Sequence, residues 1–268
     1  MKDIIEEAKN PKYISGIHNY CDRWCERCAF TAKCLNYCSS EEYFDTPEKK
    51  DISNKEFWDA MGKVFADTLK MVTEKCEEMG IDINFTPEEI EEHAEKEERR
   101  RKKTKNKIVP KIAKKYSDMI TEWFEKEKDT LKEKAESMNS LHAAGIDSSD
   151  IVIEGAYLED AIEVIYWYQH FIYVKFMRAM LRDDEEFDDP ELKEIEEYDS
   201  NGSAKIALIG IDRSISAWGS LQKRLPEKSD DILDILVHLE RLRKKAETEF
   251  PNARKFKRPG FDNADNFF

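Results

Sequence analysis

The sequence predicts an all-α protein, and three observations carry that reading. Charged residues make up 38% of the 268-residue chain, against only nine glycines and eight prolines, a balance that favours long helices with charged outer faces. Apolar residues recur at intervals of three and four, and no segment alternates apolar with polar as a half-buried strand would. Capping signals fall where these periodic stretches begin. Five or six helices with short connections predict a helical bundle over residues 46–250, preceded by a cysteine-rich segment over 1–45 and followed by an extended tail over 251–268. No internal repeat is present.

The first helix of the bundle begins near Ser53. Ser53-Asn54-Lys55-Glu56 offers a capping box, Phe57, Met61, Val64, Phe65, Leu69 and Val72 supply the apolar period, and Gly80 is placed to end it. Thr86–Glu89 gives a second box, with Pro87 at the first helical position. Seven glutamates between 88 and 98 precede seven basic residues between 99 and 107, with Glu95–Arg99, Glu97–Arg101 and Glu98–Lys102 spaced as supporting pairs. This basic run therefore reads as a solvated helix face, and no aromatic residues interleave it for base stacking. Pro110 breaks or kinks the helix.

A new period then runs through Ile112, Tyr116, Met119, Ile120, Trp123, Phe124 and Leu131. The loop at 144–150 leads into a helix over about 150–182 that is apolar on nearly every side, as the central helix of a bundle is. Eleven acidic residues between 183 and 199 follow, broken by Asp189-Pro190. The next apolar helix contains Gly210 and Gly219, which permit close backbone approach. The last runs from Ser229 to about Glu249, with Ile232, Leu233, Leu236, Leu239 and Leu242 facing inward.

The formal net charge of −14 argues against general affinity for nucleic acid or an anionic membrane. The N-terminal residues lack a basic stretch followed by an apolar core, so they do not read as a secretory signal. Glu163, His170, Lys175 and Arg178 interrupt the most apolar window, which therefore reads as a buried helix rather than a membrane span. These features predict a cytoplasmic protein, a compartment where clustered thiols bind metal more often than they form disulfides.

Five of the six cysteines lie within 18 residues: Cys21, Cys25, Cys28, Cys34 and Cys38. On a helix the first three fall at i, i+4 and i+7 along one face, and Cys34 and Cys38 are likewise a turn apart. A short helix, a bend near Ala29–Lys33 and a return bring four thiolates around one centre. Such a set suits a tetrahedral zinc ion or a [4Fe–4S] cluster. Cys25, Cys28 and Cys34 head the ligand list, with Cys21 before Cys38 as the fourth and His18 as a substitute. Arg23, Arg27 and Lys33 offset the anionic site, and Tyr20, Trp24, Phe30 and Tyr37 shield it. The alternatives are reduced thiols or a twin disulfide hairpin.

Cys21, Cys25 and Cys28 also match the C-x3-C-x2-C spacing of the radical SAM signature, but that motif follows a strand of an α/β barrel and no strand is predicted here. The spacing C-x2-C-x5-C-x3-C from Cys25 to Cys38 resembles the SPASM auxiliary-cluster segment of radical SAM enzymes, with Cys34-Leu-Asn-Tyr-Cys38 where that family has a glycine-bearing loop. The resemblance covers 14 residues and implies iron–sulfur ligation by these cysteines, with no implied activity.

Other candidates are weaker. Glu159, Glu163 and His170 lie near one line of their helix, but no histidine has a glutamate three residues before it, as a dimetal bundle site requires. Asp212 and Arg213, set in an apolar stretch, predict a cross-helix ion pair with Asp160 or Arg178. The tail's Arg254, Lys255, Lys257 and Arg258, with Phe256 and Phe261, read equally as a partner-binding arm or a packed terminus. Three functions follow: an iron–sulfur protein in redox chemistry or sensing with a protein partner, a non-catalytic interaction protein with structural zinc, or an enzyme with a bundle-core site near Glu163, His170 and Asp212.

Overall fold

The computed structural model describes residues 4–143, 148–181 and 190–262. Parts of the 144–150 loop, the acidic stretch before Pro190 and the tail beyond Asp262 lie outside them. The described residues form nine α-helices and no strand: α1 (Ile4–Ala8), α2 (Leu35–Tyr43), α3 (Pro47–Lys50), α4 (Lys55–Met79), α5 (Pro87–Lys105), α6 (Ile108–Ala143), α7 (Ser148–Met180), α8 (Pro190–Arg224) and α9 (Ser229–Glu249). The all-α bundle is as expected. No helix among the described residues is long and apolar enough to cross a membrane. The chain divides into two compact units, Met1–Glu97 with Lys257–Phe268, and Glu98–Phe256.

The larger unit is a bundle of α6, α7, α8 and α9. Its core holds Tyr116, Ile120, Ile165, Tyr168, Ile172, Phe176, Leu208, Ile211, Trp218 and Leu221, all essentially inaccessible to water. Trp218 donates its Nε1 hydrogen to the Tyr116 hydroxyl at 3.1 Å, which gives the buried indole N–H an acceptor. Gln169 donates to the Ser117 carbonyl and to Thr121 Oγ1, tying α7 to α6. A Cβ at Gly210 would stand 2.9 Å from Tyr168 Cδ1 and 3.2 Å from Ile172 Cγ1, so glycine is what lets α8 lie against α7. Gly219 has no such neighbour, and the expectation of close approach there does not hold.

Several boundaries differ from the sequence reading. The break between α5 and α6 falls at Asn106–Lys107, and Pro110 sits in the first turn of α6, where its missing N–H leaves no helical acceptor wanting. Helix α8 takes in Glu191–Asp199, because Pro190 starts a helix as readily as it interrupts one. Ser53 does not cap α4; its hydroxyl instead donates to Asp51, and Asn54 is the cap residue. The second box forms as expected: Glu89 N donates to Thr86 Oγ1 and Thr86 N donates to Glu89 Oε2. On α9 the buried line is Ile232, Ile235, Leu239 and Leu242, while Leu233 is exposed, since only spacings of three and four stay on one face. After α9 the chain is not extended: Phe250 and Ala253 are buried, and Ala253–Lys255 makes a 3-10 turn.

In the smaller unit, α2 and α3 pack along one side of α4. Phe44 meets Phe57 at 5.6 Å between ring centroids, and the Tyr43 hydroxyl donates to Asp67 at 2.9 Å.

Candidate metal centre

The cysteine segment is not an α-helix. It is a chain of three 3-10 turns, Ile17–Tyr20, Cys25–Arg27 and Thr31–Lys33, and a cysteine in extended conformation follows each one: Cys21, Cys28 and Cys34. The single helical face expected for Cys21, Cys25 and Cys28 therefore does not form. Two features between Cys21 and Cys25 explain it. The Asp22 carboxylate accepts from Trp24 N, the local turn that competes with helix, and Arg23 adopts a left-handed φ of 61°. Further along, Cys34 sits at the N-cap of α2, and Cys38 N bonds back to the Cys34 carbonyl. Ile14 N donates to the Lys33 carbonyl at 3.0 Å, closing the whole segment on itself.

The turns set four cysteines around one recess. Cys21, Cys25, Cys28 and Cys34 line a single recess, together with Ile17, His18, Trp24, Tyr37 and Phe261. The recess is narrow, with a cavity volume of about 20 Å3. Cys38 is not part of the lining; its thiol donates to the Thr31 carbonyl at 3.6 Å. All six cysteines carry thiols rather than disulfides, and all are half-buried. No group of three or more His, Cys, Asp or Glu side chains among the described residues converges on a point that would hold a metal ion.

The electrostatics are those of crowded thiols. Burial pushes the Cys25 thiol above its ordinary value, and Cys21, Glu26, Cys28 and Cys34 raise it further. Each thiolate formed here opposes the next, a cost that a bound cation removes. Burial, then the Arg23 charge, pushes His18 below its ordinary value and favours a neutral imidazole. Phe30 N donates to Cys28 Sγ at 3.4 Å, a bond of the kind that stabilises negative charge on a ligating sulfur. The N-cap position of Cys34 adds the positive end of the α2 dipole.

The aromatic surround is partly the one read from sequence. Trp24 and Tyr37 line the recess, Tyr20 is buried, and the Arg27 guanidinium stacks 4.0 Å over the Trp24 ring. Phe261 was not foreseen there. It meets Phe30 edge-on at 5.1 Å, and the Arg258 guanidinium lies 4.7 Å over its ring while pairing with Asp262. Gly260, at φ 77°, makes the approach possible, since a Cβ would fall 2.9 Å from Ile17 Cδ1. The Pro259-Gly260 turn marks the place in sequence, but nothing local names the surface it packs on.

The bundle candidates fare differently. Glu159, Glu163 and His170 are exposed, off the buried line of α7 that runs through Leu158, Ala161, Ile165, Tyr168 and Ile172, so they do not build a core site. His170 Nδ1 lies 2.7 Å from Ser117 Oγ. Asp212 is paired, but with Arg243 and with Arg254 of the tail rather than with Arg178, which pairs with Asp199 instead. Arg213 donates to the Tyr168 hydroxyl. No protein-family model matches the chain, and comparison with curated proteins and with solved structures finds no match.

Proposed function

We propose that this protein binds a [4Fe–4S] cluster through Cys21, Cys25, Cys28 and Cys34 and serves in electron transfer or redox sensing with a protein partner. The observation that carries the proposal is that four cysteines from separate turns line one recess. A cubane cluster takes one thiolate at each iron and so wants its ligands spaced around a body. A lone zinc ion would draw the same four sulfurs to about 2.3 Å from one point, and metal analysis separates the two. The N–H···S bond from Phe30, the cationic Arg23 and Arg27 and the N-cap setting of Cys34 all suit an anionic thiolate centre. When bound, the cluster would supply a one-electron couple. The chain's own residues hold it, temper its charge and, through Trp24, Tyr37 and Phe261, limit its contact with water.

The test is a set of single substitutions, reconstituted anaerobically with ferrous iron and sulfide. Cys21→Ser, Cys25→Ser, Cys28→Ser and Cys34→Ser are each expected to lose most bound iron, while Cys38→Ser and Cys76→Ser retain it. Full iron occupancy in both Cys25→Ser and Cys28→Ser would end this reading. One zinc per chain that depends on the same cysteines would replace it with a structural thiolate site.

A further inference from the structure

Beyond the cysteine recess, α4 has two unlike sides. One side of this helix is covered: Phe57 meets Phe44, Asp67 accepts from Tyr43, and Ala60 is buried. The other side carries Trp58, Gly62, Phe65, Leu69, Val72, Cys76 and Met79, separated by alternating steps of four and three. That alternation is the a/d spacing of a coiled-coil seam over three heptads, with Gly62 and Cys76 as its small members. Its large side chains stand in water: Trp58 is 57% exposed, Phe65 68%, Leu69 67%, Val72 46% and Met79 62%.

We infer that α4 pairs with the α4 of a second copy of this chain, forming a homodimer through this seam. A helix with a seam of spacing 3.5 is matched by another helix of the same spacing, and a second copy presents one. The positions flanking the seam are Asp59, Met61, Ala66, Thr68, Thr73 and Lys75, so charge is nearly absent where two copies would face each other. A chain of net charge −14 can thus approach itself here without focused repulsion. Both flanking charges pair within the helix, Asp59 with Lys55 and Lys75 with Glu78, as Lys70 does with Glu74 farther from the seam. An anionic bilayer is the poorer occupant, because α4 carries six acidic residues against four lysines.

The experiment is sedimentation of the full-length protein from about 1 to 100 µM, alongside Leu69→Glu and Met79→Glu. Met79 lies at the last turn of α4, so its substitution guards against a folding defect at the centre of the helix. The expected result is a concentration-dependent dimer in the native chain, with dissociation constants raised at least tenfold in both variants and helicity unchanged. A native chain that stays monomeric throughout overturns the inference. So does a dimer that neither variant weakens, which would put the interface elsewhere. Loss of helical structure in both variants overturns it as well, since the seam would then be covered within the chain.

Discussion

Tyr116 is fully buried beneath the α7–α8 pair, and burial pushes its phenol up to about 12 from an ordinary value of 10. The folded chain therefore keeps this proton where the unfolded chain gives it up. Stability from this source is complete below pH 10 and falls as pH rises toward 12, by on the order of 2–3 kcal/mol. Tyr116→Phe is expected to flatten that part of the alkaline decline, measured by denaturant unfolding at pH 8 to 12. It also costs about 1–3 kcal/mol at neutral pH, because Trp218 Nε1 loses its acceptor. The cysteines show what residue-scale reading supplies and what it misses. Their types and crowding predict a thiolate centre, and in the structure four of them line one recess. The backbone that places them there was not legible, because Arg23 takes a left-handed φ that side chains of its kind seldom adopt, and no rule of period or capping anticipates it.

The contrast between Gly210 and Gly219 belongs to the scale of the helix. Both lie on α8 and both read as sites of close approach, yet only Gly210 has a neighbour where a Cβ would stand. Gly210→Ala is expected to destabilise the protein by about 1–3 kcal/mol through overpacking against Tyr168 and Ile172. Gly219→Ala should be neutral or stabilising by up to about 1 kcal/mol, since it gains helix propensity and meets nothing. Thermal unfolding of the two variants side by side checks this, and equal losses would contradict it. A helix start was legible where a reciprocal cap forms, as at Thr86–Glu89. Helices were misread where composition suggested a connection: the acidic residues Glu191–Asp199 are helical because Pro190 sets the first turn and the apolar remainder of α8 carries the rest.

The chain divides into two units, and the fold of each rests on its own contacts. In the larger, α6 through α9 enclose a core whose aromatic and aliphatic members all come from residues 98–256. This segment expressed alone is expected to be helical and to unfold cooperatively, with circular dichroism under denaturant as the check. A non-cooperative or unfolded product would show that the core needs the rest of the chain. In the smaller unit, residues more than 200 positions apart meet, since Phe261 and Gly260 pack beside Ile17 and Phe30. Contacts of that sequence separation leave no periodic trace, so Phe261 was invisible as a wall of the recess while its cysteines were plain.

The central claim is that the recess holds an iron–sulfur cluster. The most direct measurement is iron, sulfide and zinc per chain, with an absorption spectrum, on full-length protein purified without oxygen. The expected result is about four iron and four sulfide per chain with a broad band near about 400 nm that bleaches on reduction. Protein that is colourless, free of iron and unable to take up iron and sulfide would contradict it.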